Sequence, residues 1–209
     1  MEDWQSDLDT LVKLNPEHIS AYSLTVEQNT KLFDLVKNKS IIMPIDDLHQ
    51  KFNSITLDTL SKNNYEQYEI SNYSKSIREC LHNIHYWDND FYLGFGPSAH
   101  SFDGTKRWNN FSNLDKYITA LENDGSPIEN FDEITEIEKI NEIIGFGLRM
   151  TKGFSISRIP SKLKPKFQKQ LKQTQLKFPD MIIKENNRIK LTKNGMNFAD
   201  AIAVELLLS

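Results

Sequence analysis

Trp4, Leu8, Leu11, Val12 and Leu14 recur three or four residues apart, which predicts an amphipathic helix over 3–14 that Asn15-Pro16 ends. The segment HISAYSLTVE (18–27) is β-rich and mostly apolar, the composition of a buried parallel strand. Leu48, Phe52, Ile55, Leu57 and Leu60 mark one face of a second helix, with Asp46 or Asp47 as its N-cap. YEQYEISNY (65–73) alternates like a further strand. This order, helix–strand–helix–strand, predicts an α/β layer with parallel strands. Two strands neither close a barrel nor cover a sheet, so this half predicts the tail end of a larger α/β domain.

The second half changes character. A helix is predicted over 112–124, with Leu114, Tyr117, Ile118 and Leu121 inward and Gly125-Ser126-Pro127 as its stop. TEIEKINEIIGFGLRM opens on Thr135 with Glu138 three residues on, the pattern of a capping box. Residues 161–178 predict a Lys-rich helix with Pro165 in its first turn. DMIIKENNRIKL predicts a hairpin whose strands flank Glu185-Asn186-Asn187, and Thr192 predicts the cap of a last helix running to Leu208. Three helices and a hairpin over roughly 133–209 describe a small winged-helix-like domain.

Composition excludes some classes. No apolar run approaches the roughly 18 residues of a membrane-spanning helix, so no integral membrane segment is expected. Met1-Glu2-Asp3-Trp4 lacks the basic start and apolar stretch of a signal or transit peptide. Cys80 is the only cysteine, so no internal disulfide forms, in keeping with a cytoplasmic location. Residues 151–209 carry twelve Lys/Arg against four Asp/Glu, while 1–150 carry thirteen against twenty-five. That asymmetry suggests two lobes, the second with a basic surface. A solvated helix accounts for the lysines better than nucleic acid does. Lys162, Lys164, Lys166, Lys169 and Lys172 do not share one clean face, and Arg, the main base reader, is scarce.

Candidate chemistry gathers in ECLHNIHYWDNDFYLGFGPSAHSF (79–102). Cys80, His82, His85 and Tyr86 are all possible metal ligands, but the spacing is not that of a zinc site. Covalent haem attachment needs C-x-x-C-H, which the chain lacks. Gly94-Phe95-Gly96-Pro97-Ser98-Ala99 fits the dinucleotide fingerprint, yet neither an apolar strand precedes it nor a helix follows. A tight loop with close backbone approach explains its glycines better. Non-covalent haem suits the chemistry: imidazole is a common axial ligand, a phenolate also serves, and the flat rings of Tyr86 and Trp87 pack on a macrocycle. The same residues also suit a bland arrangement, with Tyr86 and Trp87 in the core and His82 and Asn83 hydrogen-bonding a turn. His18, His49 and His100 stand alone and read as structural.

Five stretches, in chain order, resemble one family: PEHISAYSLTVE, YEQYEISNY, ECLHNIHYW, YLGFGPSAHSF and GFGLRMTKGF. They are similar to the HemW-type proteins, radical-SAM haem chaperones long described as oxygen-independent coproporphyrinogen III oxidases. His82-Asn83-x-x-Tyr86-Trp87 is the most specific piece and marks the chaperone branch. Leu81 departs from the Arg often found after the cysteine, and Pro97 and Ser98 stand where smaller residues are usual. The family's C-x-x-x-C-x-x-C has no counterpart here.

The resemblance implies a C-terminal half. Its fold is then α/β (α+β overall): the last βα units of a partial radical-SAM barrel over 1–75, a connecting segment over 76–130, and the winged-helix-like domain over 131–209. His82 is implied as the axial ligand of haem iron, with Tyr86 and Trp87 beside the macrocycle. A [4Fe–4S] cluster and S-adenosylmethionine are implied only with the missing N-terminal half, and this chain alone is expected to be inactive as a radical-SAM enzyme. The implied function is to bind haem and deliver it to a recipient haemoprotein. The alternatives are part of a coproporphyrinogen III oxidase in porphyrin biosynthesis, or a structural lobe that orients a partner. A severed barrel edge over 18–24 predicts homo-oligomers that pair through it.

Overall fold

The computed structural model describes residues 1–209, the side chain of Asp46 excepted, as two units, Met1–Cys80 and Leu81–Ser209. In the first unit, helix α1 (Glu2–Leu14) ends where Asn15 turns left-handed, with φ 52°, ahead of Pro16. Strand β1 (His18–Ser20), helix α2 (Lys31–Lys37) and helix α3 (Asp46–Lys62) follow, then β2 (Glu66–Glu69) and β3 (Asn72–Ser74). The core between α1, α3 and the sheet is Leu8, Ile19, Leu60, Tyr65 and Tyr73. Each such aliphatic side chain taken from water contributes about 1.5–3 kcal/mol. Polar groups at its margin are matched: the Trp4 indole donates to Thr56 Oγ1 at 2.9 Å, and the Tyr65 hydroxyl donates to Pro16 O at 2.7 Å.

The sheet corrects two expectations. It runs β1-β3-β2 with every pair antiparallel, rather than as a parallel layer. The cause lies in Glu69-Ile70-Ser71-Asn72, where the predicted strand 65–73 breaks. Glu69 Oε1 accepts from Ser71 N at 2.8 Å and from Asn72 Nδ2 at 2.5 Å, and this fully buried carboxylate turns the chain back so that β3 lies between β1 and β2. β1 and β2 keep a common direction but do not pair. The second correction is length: β1 stops at Ser20, one further bond links Ala21 N to Ser71 O, and Tyr22 and Leu24 are exposed. A strand needs a neighbour for its ladder, and no described residue supplies one past Ala21. The described residues close no barrel. At α3, Ile45 holds the N-cap position without a side-chain bond and Asp47 lies within the helix; the expected cap at Asp46 lies outside the described residues.

The second unit opens on helix α4 (Leu81–Trp87). Strands β4 (His100–Phe102), β5 (Lys106–Asn110) and β6 (Ile128–Glu133) form an antiparallel sheet in that order, with helix α5 (Leu114–Glu122) between the last two. The expected inward face of α5 is not buried: Leu114, Ile118 and Leu121 are exposed, and only Tyr117 is engaged, accepting from Gly96 N at 3.2 Å. Amphipathic spacing marks an apolar face without saying what covers it. The glycine loop behaves as expected, since a Cβ on Gly94 would stand 2.2 Å from His100 O.

Helix α6 (Glu136–Arg149) carries the predicted capping box, with Glu138 N donating to Thr135 Oγ1 and Thr135 N donating to Glu138 Oε2. The Thr135 hydroxyl first, and then the Thr135 amide, hold the Glu138 carboxyl below its ordinary value. Strand β7 (Phe154–Ser155), helix α7 (Lys164–Lys177), strands β8 (Ile182–Glu185) and β9 (Arg188–Leu191), and helix α8 (Ala199–Leu206) complete the chain. The last sheet is ordered β7-β9-β8. The hairpin loop is Asn186-Asn187 alone, both with positive φ, because Glu185 still pairs with Arg188. Two such residues match the right-handed twist of the strands. Thr192 does not cap the last helix, whose N-cap position is Phe198. Its Oγ1 accepts from Gly195 N at the start of a 3-10 turn over 195–198, and α8 begins only after it.

Two outcomes test this description. Gly153 has φ +61°, and a Cβ there would meet Ile189 O at 1.9 Å. Gly153→Ala is expected to cost at least about 1–2 kcal/mol from the left-handed conformation alone, read as a lowered urea midpoint; an unchanged midpoint contradicts the tight β7–β9 approach. The Asp103 carboxyl is held below its ordinary value by the amides of Lys106 and Thr105 and the Thr105 hydroxyl. A depressed carboxyl stabilises above its unfolded pKa and loses that contribution as pH falls through the folded one. The β4–β5 turn is thus expected to hold at neutral pH and to loosen below the usual carboxylate range, seen as amide shifts of Thr105 and Lys106 titrating below pH 3.8.

Candidate functional site

The segment 81–87 is helical, so His82, His85 and Tyr86 share one side of α4, as three- and four-residue spacing requires. The two histidines differ sharply. His85 is committed: its Nε2 lies 2.5 Å from Phe91 O and its Nδ1 3.5 Å from Asp90 Oδ2. His82 is exposed, and its ring nitrogens bond no described residue; its ring meets Tyr86 edge-on, with centroids 4.9 Å apart. Cys80, the other possible ligand in this stretch, closes the first unit. No group of three or more His, Cys, Asp or Glu among the described residues is arranged to hold a metal ion, and a three-legged zinc site at Cys80, His82 and His85 gains no support.

Tyr86 is 37% exposed rather than core. Behind it the rings continue inward: Tyr86 to Tyr92 at 4.7 Å, and Tyr92 to buried Phe102 at 6.1 Å. The Arg107 guanidinium caps Phe102 at 4.9 Å and makes a two-pronged bond to Glu142 on α6, at 2.6 and 3.1 Å. Its pKa is raised, first by the hydrogen bond to Glu142 and, among lesser causes, by one to Tyr92. Trp87 points the other way around α4. It meets Phe146 at 6.0 Å, with the Arg149 guanidinium over its ring at 5.1 Å. Asp88 secures the helix end, with its carboxylate bound by Lys152 and its carbonyl by Arg158. Leu81, Phe91, Leu93 and Phe95 are exposed nearby in the sequence.

Of the residues singled out from the sequence, His82 and Tyr86 are brought into contact, and Trp87 is separated from them as an anchor. Tyr92, Phe102, Arg107 and Phe146 were not singled out. Spacing within 79–102 carried no sign of Tyr92 or Phe102, because both reach α4 through strand pairing. Only the spacing of Glu142, Phe146 and Arg149, four and three residues apart on α6, was there to be read.

The arrangement is that of a mixed α/β scaffold with small antiparallel sheets, and its fold is that of half a radical-SAM coproporphyrinogen III oxidase. Escherichia coli HemN, described as a radical-SAM enzyme, superposes with a TM-score of 0.75 over 98% of this chain and 51% of its own, at 16% identity. No family model matches the chain. The heme chaperone HemW of Bacillus subtilis is 34% identical over 158 residues, covering 76% of this chain and 42% of that protein. The HemW of Lactococcus lactis is 28% identical over 213 residues, covering 100% and 55%. The chain is a homologue of the HemW-type heme chaperones over nearly all its length and spans about half the length of the relatives it matches. No helix among the described residues is long and apolar enough to cross a membrane.

Arg107 and Glu142 are largely enclosed, with side-chain exposures of 27% and 18%. Arg107→Met keeps an apolar stem against Phe102 and strands the Glu142 carboxylate. It is expected to lower stability by about 1.5–3 kcal/mol, measured by urea unfolding, with Tyr92 resonances shifted. A change within about 0.5 kcal/mol shows that the ladder does not depend on this pair.

Proposed function

We propose that α4 is a haem-holding helix, with His82 as axial ligand to the iron and the Tyr86 ring against one side of the macrocycle. The observation that carries this is the contrast between two exposed histidines one turn apart: His85 is held through Nε2 by the Phe91 carbonyl, with the Asp90 carboxylate 3.5 Å from Nδ1, while neither His82 nitrogen bonds a described residue. An exposed imidazole with a free nitrogen donates to iron without first breaking a bond, and a flat aromatic neighbour complements a porphyrin face. Trp87, also assigned to the haem from the sequence, packs on Phe146 beneath the Arg149 guanidinium, and in this reading it holds the helix. The relatives named heme chaperones support delivery of haem to a recipient haemoprotein as the purpose of such a site. A resident [4Fe–4S] cluster does not fit these residues, because it needs several thiolates and Cys80 is the only one in 209 residues.

Haem titration tests the reading. Wild-type chain is expected to shift the Soret band and saturate near one equivalent. His82→Ala should abolish or move that shift, since a methyl group offers iron nothing. His85→Ala should keep the wild-type band position, since the Phe91 carbonyl already engages His85 Nε2, and Tyr86→Phe should keep it too, with the ring retained. Identical spectra and saturation for wild type and His82→Ala would remove His82 from the iron.

A further inference from the structure

A cavity of about 360 Å³ opens in the first unit, between the start of α1, the first half of α3 and the chain that leaves β1. Its walls are flat: Trp4, Tyr22, Phe52 and Tyr73 line it, with the Trp4 and Phe52 rings edge to face at 6.3 Å. Its lip is aliphatic and open to solvent, with Leu24 63% and Ile42 88% exposed. Among the described residues, no Lys, Arg, Asp or Glu lines it. An ion entering would shed its hydration without gaining an opposite charge, so the cavity selects a neutral molecule.

The polar groups of the lining narrow the class further. Thr56 is engaged, accepting from the Trp4 indole and donating to Phe52 O at 2.8 Å. Tyr73 is not. It is 3% exposed, its hydroxyl accepts from Gln67 Nε2 at the long distance of 3.5 Å, and its own proton meets no acceptor among the described residues. Burial first, and the Glu69 charge second, push this phenol up, so it stays a donor at neutral pH. His49 and Asn53 stand one turn apart on α3, and neither side chain bonds a described residue. A buried donor left without an acceptor is costly, and a carbonyl on a bound molecule removes that cost.

We propose that this cavity binds the head of a quinone-type molecule, a neutral flat ring that carries carbonyl acceptors and no donor. The rings of Trp4, Tyr22 and Phe52 pack on such a head. The Tyr73 hydroxyl donates to one carbonyl, and the His49–Asn53 side of α3 supplies a donor to the other. Leu24, Ile41 and Ile42 keep the mouth apolar, which suits an alkyl or isoprenoid tail leaving the ring. The site lies wholly in the first unit and stands independently of the haem reading of α4.

The probe is duroquinone, whose fully methylated ring resists addition of the Cys80 thiol, titrated into the 1–209 chain and followed by amide NMR. Saturable shifts are expected in residues 20–24, 41–44 and 49–53. Asn53→Trp fills the cavity from an exposed helix position and should weaken binding at least about tenfold, while Asn53→Ala, which keeps the space, should retain saturable binding. Tyr73→Phe removes only the hydroxyl and should weaken binding roughly three- to tenfold, the worth of one uncharged hydrogen bond. Circular dichroism establishes that the variants are folded. Durene, the same methylated ring without carbonyls, should compete at least about tenfold more weakly than unlabelled duroquinone. Absence of saturable shifts, shifts confined to 81–209, or equal affinity in folded Asn53→Trp overturns the site. Equal competition by durene, or unchanged affinity in folded Tyr73→Phe, overturns the carbonyl-bearing class of ligand.

Discussion

Trp87 lies against the Phe146 ring and beneath the Arg149 guanidinium, and that contact decides what α4 is able to present. A seven-residue helix has too few internal hydrogen bonds to persist alone. Its orientation comes from the one large ring it gives to α6, from Asp88 bound by Lys152 and Arg158, and from His85 bound to Phe91 O. With those anchors in place, the side of the helix that carries His82, His85 and Tyr86 turns outward. An indole buries more apolar surface than any other side chain and offers a π-face to a cation. Replacing it would free the helix to rotate and remove the distinction between a committed and an uncommitted histidine.

Helix α6 is the spine of the second unit. Its buried positions, Ile140, Ile143, Ile144, Gly147 and Leu148, pack inward, and its capping box secures the first turn. Gly147 is required for this packing, since a Cβ would stand 2.6 Å from the Phe154 side chain. Glu142, Phe146 and Arg149 lie on a neighbouring stripe that meets Arg107 and Trp87. One stripe of the helix is thus in the core, and its neighbour fixes the position of α4.

The first unit depends on a buried acid. Glu69 is fully enclosed, bonds Ser71 and Asn72, and sets the reversal that places β3 between β1 and β2. Burial, aided by the Glu69 charge, pushes the neighbouring Tyr73 hydroxyl up to about 12, so this phenol stays protonated at physiological pH. Such an arrangement is specified by three or four polar atoms rather than by any hydrophobic period, which is why alternation over 65–73 reads as one strand and folds as two.

What the sequence determined by itself were features whose causes are local. The end of α1 at Asn15-Pro16, the Thr135–Glu138 capping box, Pro165 at the start of α7, the hairpin over 182–191 and the close-packed glycine loop all follow from backbone geometry within a few residues. The concentration of His82, Tyr86 and Trp87 in one segment was likewise visible, together with the resemblance it carried. The tertiary structure decided everything that required knowing a neighbour: that the small sheets are antiparallel, that Leu114, Ile118 and Leu121 stay exposed, that Trp87 faces inward while His82 faces out, and that His85 is already bonded. Periodicity reports which positions form a face, because that is set by the chain's own repeat. It is silent on what meets the face, because the partner comes from residues distant in sequence, as Tyr92, Phe102, Arg107 and Phe146 do around α4.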